Sequence, residues 1–205
     1  MRILYLTNHL NIGGITSYIF SLGRGLRQKG HKVYVASFGG ELLGQFTQEG
    51  IIHIQIPIKT KSEASPNIWM SLFRLRKYIK SENIDILHAN TRVTQVLAFL
   101  IWRLFRKPYV STCHGFFKRR IFRRIFPLWG KKVIAISEAV RQHLMFDFSI
   151  PKRDISLIHN GIDIKRFKVF TEAEKREKKK EWGLGKGVVI GIIARLSDVK
   201  GHVYL

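Results

Sequence analysis

The sequence has few cysteines of the kind that form disulfides in small secreted proteins, and it has no long apolar run of the kind that crosses a membrane. Its single cysteine, Cys113, permits no intramolecular disulfide and favours a reducing compartment. The longest apolar run covers only 96–102, far short of the ~20 residues that a transmembrane helix requires. Residues 1–8 carry no recognisable targeting signal and lead directly into structured sequence. These absences predict a cytoplasmic globular protein.

Acidic residues are also scarce. The 14 Asp and Glu residues are outnumbered by 36 Lys and Arg residues, which gives a formal net charge of +22. An excess of this size usually indicates a polyanionic partner, which is either nucleic acid or an anionic membrane surface. Because no helix-turn-helix, RNA-recognition or zinc pattern occurs, nucleic acid is the weaker alternative.

Short β-rich runs alternate with segments of helical periodicity over about the first 160 residues. This alternation predicts a doubly wound, Rossmann-like α/β domain, in which a parallel sheet carries helices on both faces. The predicted strands cover 2–7, 32–38, 51–58, 85–90, 108–114, 132–137 and 155–161. The predicted helix over 68–82 is amphipathic, and its periodicity places five apolar side chains inward: Trp69, Leu72, Phe73, Leu75 and Ile79.

The composition changes after residue 167. Residues 171–184 are highly charged and predict an exposed helix, and Gly187 begins another apolar run. We therefore expect one domain over 1–167, a helical connector over 168–186, and the first strand and turn of a truncated second domain over 187–205.

Ligands in such sheets bind beyond the carboxyl ends of the strands, where this sequence is polar or rich in glycine. Gly13 and Gly14 lie between the first strand and the first helix, so they form either a phosphate-binding loop or an ordinary turn. A nicotinamide cofactor is disfavoured because the G-x-G-x-x-G spacing is absent and the second strand ends without an acid.

Three histidines, His88, His114 and His159, lie at predicted strand ends. No cysteine or carboxylate spacing completes a metal site around them, and no Asp-x-Asp pair occurs that could hold a metal on a nucleotide diphosphate. His114 is therefore either a structural residue or a residue of the cleft. Arg195 and Lys200 are suited to a diphosphate, although surface cations often serve solubility alone.

The densest basic segment, 116–132, predicts a helix with an apolar and a basic half. The apolar half comprises Phe117, Ile121, Phe122, Ile125 and Phe126, and the basic half comprises Arg119, Arg120, Arg123 and Arg124. Such a helix either packs on the sheet or lies at an anionic membrane surface, and residues 102–107 could extend the basic patch. A peripheral position at the inner face of the cytoplasmic membrane therefore stays open.

Five segments occur in an order and at spacings that resemble the retaining glycosyltransferases of family 4, which have the two-domain GT-B fold. They are ILYLTNHLNIGGITSYIFSLGRGLRQKGHKVYV, STCHGF, VIAISEAVRQHL, LIHNGID and ARLSDVKG. The resemblance implies that the first domain binds mainly the acceptor and that the second binds a nucleotide-sugar, linked to UDP or GDP. It implies no metal cofactor.

The resemblance also implies roles for individual residues. Gly13 and Gly14 would face the donor phosphates, and His114 would contact the donor sugar. Arg195 and Lys200 would grip the diphosphate and stabilise the leaving group.

Three further positions follow from the same resemblance. Ser137 and Glu138 would line the cleft and help to bind the donor. Ala194 stands where the family usually has glycine, which tightens the turn by one methyl group.

The implied activity is sugar transfer with retention to a glycan or lipid-linked acceptor, as in the synthesis of lipopolysaccharide or cell-envelope glycans. The two glutamates that the family carries in its second domain have no counterpart in these 205 residues. We therefore expect this chain alone to be mainly the acceptor-binding half and to be inactive. The alternatives are an inactive fragment or an acceptor- or membrane-binding module and, more remotely, a basic nucleic-acid-binding protein.

Overall fold

The structure is a computed structural model that describes residues 1–118, 123, 125–164, 167–185, 187–194, 196 and 200–204. It divides into two compact units, Met1–Ile162 and Asp163–Leu205. The domain boundaries expected at 167 and 186 stay predictions.

The first unit contains one parallel sheet of seven strands. The strands are β1 (Arg2–Leu6), β2 (Lys32–Ser37), β3 (Ile52–Gln55), β4 (Ile86–Ala89), β5 (Tyr109–Cys113), β6 (Lys132–Ala135) and β7 (Ile155–Leu157). Their spatial order is β3-β2-β1-β4-β5-β6-β7, so the chain reverses direction across the sheet after β3. This order confirms the predicted Rossmann-like fold.

Helices cover both faces of the sheet. They are α1 (Gly14–Gln28), α2 (Leu43–Gln48), α3 (Pro66–Ser81), α4 (Arg92–Phe105) and α5 (Glu138–Phe148). Side chains of α1 and α2 form one core with β1 and β2, and side chains of α3 and α4 form a second core on the opposite face. Side chains of β1 alternate between the two cores, with Leu4 in one and Tyr5 in the other, because successive residues of a strand point to opposite faces.

Local sequence explains where α3 and α4 begin. Ser65 caps α3 by accepting a hydrogen bond from Asn67 N at 3.3 Å, and Pro66 occupies the first helical position, where proline is favoured. Thr91 caps α4 through a reciprocal capping box with Thr94. Both helices follow the carboxyl end of a strand, so both begin at this edge of the sheet, called the carboxyl edge below.

The outward face of α3 differs from the expectation. Leu72 and Leu75 are buried as predicted, but Trp69 is 60% and Phe73 76% exposed. The buried positions centre on one side of the helix, and residues 69 and 73 each lie one step of about 100° beyond a buried neighbour. The prediction that Trp69 and Phe73 point inward is therefore wrong.

The predicted basic helix can be compared with the structure only in part, because residues 119–122 and 124 lie outside the described residues. Arg123, expected outward, is mostly buried: it lies 4.8 Å from the ring centroid of Phe117 and 3.7 Å from Glu63. Ile125 and Phe126, expected inward, are 61% and 56% exposed. The predicted faces are wrong at these three positions, because the carboxylate and the aromatic ring hold the guanidinium inside.

The second unit contains α6 (Glu172–Glu181), which begins at a capping box between Thr171 and Glu174. The described residues of 187–194 pair with no other strand, and an isolated strand is unstable without neighbours. The second domain expected there stays a prediction. None of the helices in the described parts of the chain is both long and apolar enough to cross a bilayer.

Candidate functional site

Side-chain hydrogen bonds tie together three loops at the carboxyl edge. Asn8, after β1, donates from Nδ2 to the carbonyl of Thr60 at 2.7 Å and accepts at Oδ1 from the Thr91 hydroxyl at 2.5 Å. Arg92, at the start of α4, donates to Glu63 at 3.0 Å. The loops that follow β1, β3 and β4 are thereby held at fixed spacing.

His114 lies at this edge, directly after β5. Its Nε2 is 3.1 Å from Oδ1 of Asn90. Asn90 donates from Nδ2 to the backbone carbonyl of His88 at 3.1 Å, which fixes Oδ1 as the atom that faces His114. An amide oxygen only accepts, so Nε2 of His114 carries the proton and Nδ1 is left as an acceptor.

Burial controls the charge of His114. Desolvation lowers its pKa to about 4, so the ring is neutral near pH 7. Tyr18, in the second turn of α1, meets the ring edge to face at a centroid distance of 4.8 Å. His114 is therefore a neutral hydrogen-bonding group in a fixed orientation, with its Nδ1 able to accept a hydrogen bond from a hydroxyl.

A second histidine lies behind the first. Nε2 of His88 is 2.7 Å from the hydroxyl of Thr112, and the same hydroxyl is 3.1 Å from the hydroxyl of Tyr18. His88 is buried, and desolvation lowers its pKa to about 3. His88 and Thr112 lie within β4 and β5, and Asn90 and His114 directly follow these strands. The members of each hydrogen-bonded pair, His88 with Thr112 and Asn90 with His114, are 24 residues apart in the sequence.

Sequence reasoning missed three members of this cluster: Tyr18, Asn90 and Thr112. Each meets a partner on another element, so no local motif marks it. The signal that could have found two of them, Asn90 and Thr112, is the parallel pairing of β4 with β5, in which His88 lies opposite Val110 and Ala89 opposite Ser111, so the carboxyl ends of the two strands meet.

Gly13 and Gly14 lie at the start of α1. Both are exposed, and a Cβ atom at either position would meet no atom within 4 Å. Gly13 has an extended backbone with a φ of 167°, and no side chain caps the helix. Neither backbone conformation nor packing requires glycine at Gly13. Because the first amide groups of a helix have no intrahelical acceptor and this end is exposed and uncapped, it is suited to binding an anion.

Ser137 and Glu138 have local partners. Ser137 caps α5 by accepting a hydrogen bond from Val140 N at 3.2 Å. Glu138 forms an ion pair with Arg141 at 2.8 Å. Their expected role in binding the donor stays a prediction, as do the roles of Gly13, Gly14 and His114.

The two expected diphosphate ligands belong to the second unit. Lys200 is exposed, and Arg195 lies outside the described residues. The role of Arg195 and Lys200 in binding the diphosphate therefore stays a prediction.

A cavity of about 620 Å³ lies at the opposite edge of the sheet from His114. Its lining is largely apolar and includes the aromatic side chains of Trp102, Tyr109, Trp129 and Phe148. Tyr109 begins β5, whereas His114 follows the end of that strand, so this cavity is separate from the histidine cluster.

The family model described as Glycosyltransferase Family 4 matches residues 12–166. This range includes both hydrogen-bonded pairs, His88 with Thr112 and Asn90 with His114. The chain belongs to Glycosyltransferase Family 4. This membership confirms the resemblance that the five sequence segments indicated. No curated protein matches the sequence significantly.

Solved structures share the fold of this family 4 chain. A glycosyltransferase from Rickettsia africae ESF-5 is 23% identical, with a TM-score of 0.78 over 91% of this chain and 50% of its own. HepE from Anabaena, in complex with UDP-glucose, is 20% identical, with a TM-score of 0.77 over 99% of this chain and 55% of its own. The lipopolysaccharide outer core galactosyltransferase WaaB is 14% identical, with a TM-score of 0.62 over 80% of this chain and 47% of its own.

The family 4 chain thus spans about half the length of these proteins. Its sheet and helices correspond to the N-terminal half of the GT-B fold.

Proposed function

We propose that this protein is a retaining glycosyltransferase that moves a sugar from a UDP- or GDP-linked donor to a glycan or lipid-linked acceptor, and that residues 1–167 bind mainly the acceptor. The observation that carries the proposal is the oriented pair of His114 and Asn90 at the carboxyl edge of a family 4 chain. The UDP-glucose complex of HepE and the lipopolysaccharide activity named for WaaB support the donor and acceptor classes.

In this proposal His114 contacts the donor sugar. Because its Nε2 donates to Asn90, its Nδ1 accepts a hydrogen bond from a sugar hydroxyl. A neutral ring suits this task, since it orients the sugar without acting as an acid near pH 7.

The phosphates of the donor need positive partial charges and cations. We propose that the amide groups at Gly13 and Gly14 face the phosphates and that Arg195 and Lys200 neutralise the leaving diphosphate. Ser137 and Glu138 line the cleft, and no metal cofactor is required. The protein acts on the cytoplasmic side, next to the membrane that carries a lipid-linked acceptor.

The test is saturation-transfer NMR on the 205-residue chain with UDP-glucose and GDP-mannose as probes. We expect saturation of the sugar protons to fall at least fivefold in His114→Ala, and saturation of the whole nucleotide-sugar to fall in Lys200→Ala. His31→Ala and Lys29→Ala are the controls, because both residues lie at the amino end of β2, away from His114.

Equal saturation of the sugar in His114→Ala would remove His114 from the site. If the wild-type chain transferred saturation to neither probe, donor binding by the 205-residue chain would be disproved. Binding of glycan probes alone would then favour an acceptor-binding module.

A further inference from the structure

The outward face of α3 carries large apolar side chains that no described residue covers. Trp69 is 60% exposed, Met70 51% and Phe73 76%, and all three lie in the first two turns. The opposite side of the helix already supplies the core through residues such as Leu72 and Leu75. The helix is therefore apolar on two faces, and the fold uses only one of them.

The second half of the same face is basic. Four exposed cations follow the aromatic residues: Arg74, Arg76, Lys77 and Lys80. The sequence of α3 contains no acidic residue, and no ion pair to these four cations is found among the described residues. The acid that follows the helix, Glu82, is held by Lys32 and Tyr34. The positive charge on α3 is thus not neutralised within the described fold.

We propose that this surface, called the α3 face (Trp69, Met70, Phe73, Arg74, Arg76, Lys77 and Lys80), docks onto an anionic lipid bilayer. Trp and Phe side chains are favoured at the boundary between headgroups and acyl chains. Lys and Arg are attracted to acidic headgroups, and their long stems let the charge stay in the headgroup layer. A bilayer is a partner that satisfies both halves of the face.

Charge argues against a second copy of this chain as the occupant. A symmetric dimer places the same patch of both protomers face to face. Four unneutralised cations of one α3 would then oppose the same four of the other, and like charges across an interface are strongly unfavourable. Nucleic acid, which could stack on Trp69, is kept as an outcome of the test.

The position of the α3 face has a consequence for the acceptor. Because α3 begins at the carboxyl edge, Trp69 in its first turn and Met70 at the start of its second lie toward the same edge as His114. Glu63, just before α3, pairs with Arg92 at the start of α4, which fixes this end of the helix to that edge. A bilayer docked on α3 would therefore lie close to the edge that receives a lipid-linked acceptor. This last step rests on the proposed function, whereas membrane docking itself does not.

The test is flotation of the 205-residue protein with vesicles of phosphatidylethanolamine and phosphatidylglycerol, compared with vesicles of phosphatidylcholine. We expect at least tenfold stronger partitioning into the anionic vesicles, with a steep decrease as salt is raised. Trp69→Ala/Phe73→Ala and Lys77→Glu/Lys80→Glu should each lower it at least tenfold. These side chains are exposed, so we expect both variants to retain the wild-type circular dichroism.

Matched controls lie on other elements. Phe146, on α5, is also 76% exposed, so Phe146→Ala removes an aromatic ring of equal exposure. Lys29→Glu/Lys152→Glu changes the net charge as much as the α3 charge variant does. Both controls should partition within twofold of the wild type.

Equal binding to anionic and neutral vesicles, or loss in the controls as large as in the α3 variants, would overturn the proposal. The proposal would also be overturned if the α3 variants kept their vesicle binding but lost a dimer detected by sedimentation or lost binding to a DNA probe. UDP-glucose saturation transfer is measured on the same variants and should stay within twofold of the wild type. Vesicle binding without donor binding would leave the α3 face standing and contradict only the proposed function.

Discussion

Acidification provides a direct test of the buried histidine pair. Burial lowers the pKa of His88 to about 3 and that of His114 to about 4, from an ordinary value of 6.5. Below pH 6.5 the two histidines bind protons in the unfolded chain, whereas in the folded chain they stay neutral until the pH falls to 3–4. The contribution of the two neutral histidines to the free energy of unfolding is therefore fully present above pH 6.5 and is lost progressively as the pH falls toward 3–4.

The size of the effect follows from the proton-binding equilibria of the two states. Between pH 7 and pH 5, each histidine removes about 2 kcal/mol from the free energy of unfolding, so the pair removes about 4 kcal/mol. Small domains are stable by only ~5–15 kcal/mol, so a loss of this size is readily measured.

The assay is urea unfolding followed by circular dichroism at pH 7, 6 and 5. His114→Gln offers an amide N–H to Asn90 but does not titrate, so we expect its loss between pH 7 and 5 to be about 2 kcal/mol smaller than in the wild type. The exposed His159 supplies the control variant, His159→Gln, which should follow the wild-type curve. If His114→Gln lost as much stability as the wild type, the neutral buried ring at His114 would be refuted.

Two further predictions concern the backbone at Gly130 and the buried thiol of Cys113. Gly130 has a φ of 87°, and an added Cβ would lie 2.4 Å from the carbonyl oxygen of Tyr109. We therefore expect Gly130→Ala to lower the free energy of unfolding in urea by more than about 2 kcal/mol. The control is Gly44→Ala, which adds its Cβ in open space on α2 and should not lower this free energy. Burial raises the pKa of the Cys113 thiol to about 12, so at pH 8 its thiolate fraction is about 1000-fold smaller in the native protein than in the protein in urea. A thiol reagent should therefore react at least about 100-fold more slowly with the native protein, and equal rates would contradict the buried position.

The sequence predicted the sheet well because its strands are buried on both faces. A run such as 3–6 is apolar and buried at successive positions, which is typical of a strand covered on both faces, and the order of such runs left little choice of topology. His114 could be singled out because it directly follows such a run. Asn90 and Tyr18 could not, since their contacts with His114 depend on how β4 and α1 pack against β5.

The outward side chains of α3 were not predictable by the same reasoning. Periodicity identifies the buried stripe only when the other face is polar, and α3 carries large apolar residues on both. The position of Arg123 was unpredictable for a different reason. Its side chain meets Glu63, which is 60 residues away in the sequence, and this tertiary contact outweighs the preference of arginine for solvent.

The equal spacing of the two hydrogen-bonded pairs constrains how this protein can evolve. Each pair spans 24 residues and is joined by the unit of β4, α4 and β5. Inserting or deleting one residue within β4 or β5 would shift their register and turn the residues beyond it to the opposite face of the sheet. We therefore expect natural length variation among close relatives to spare these two strands.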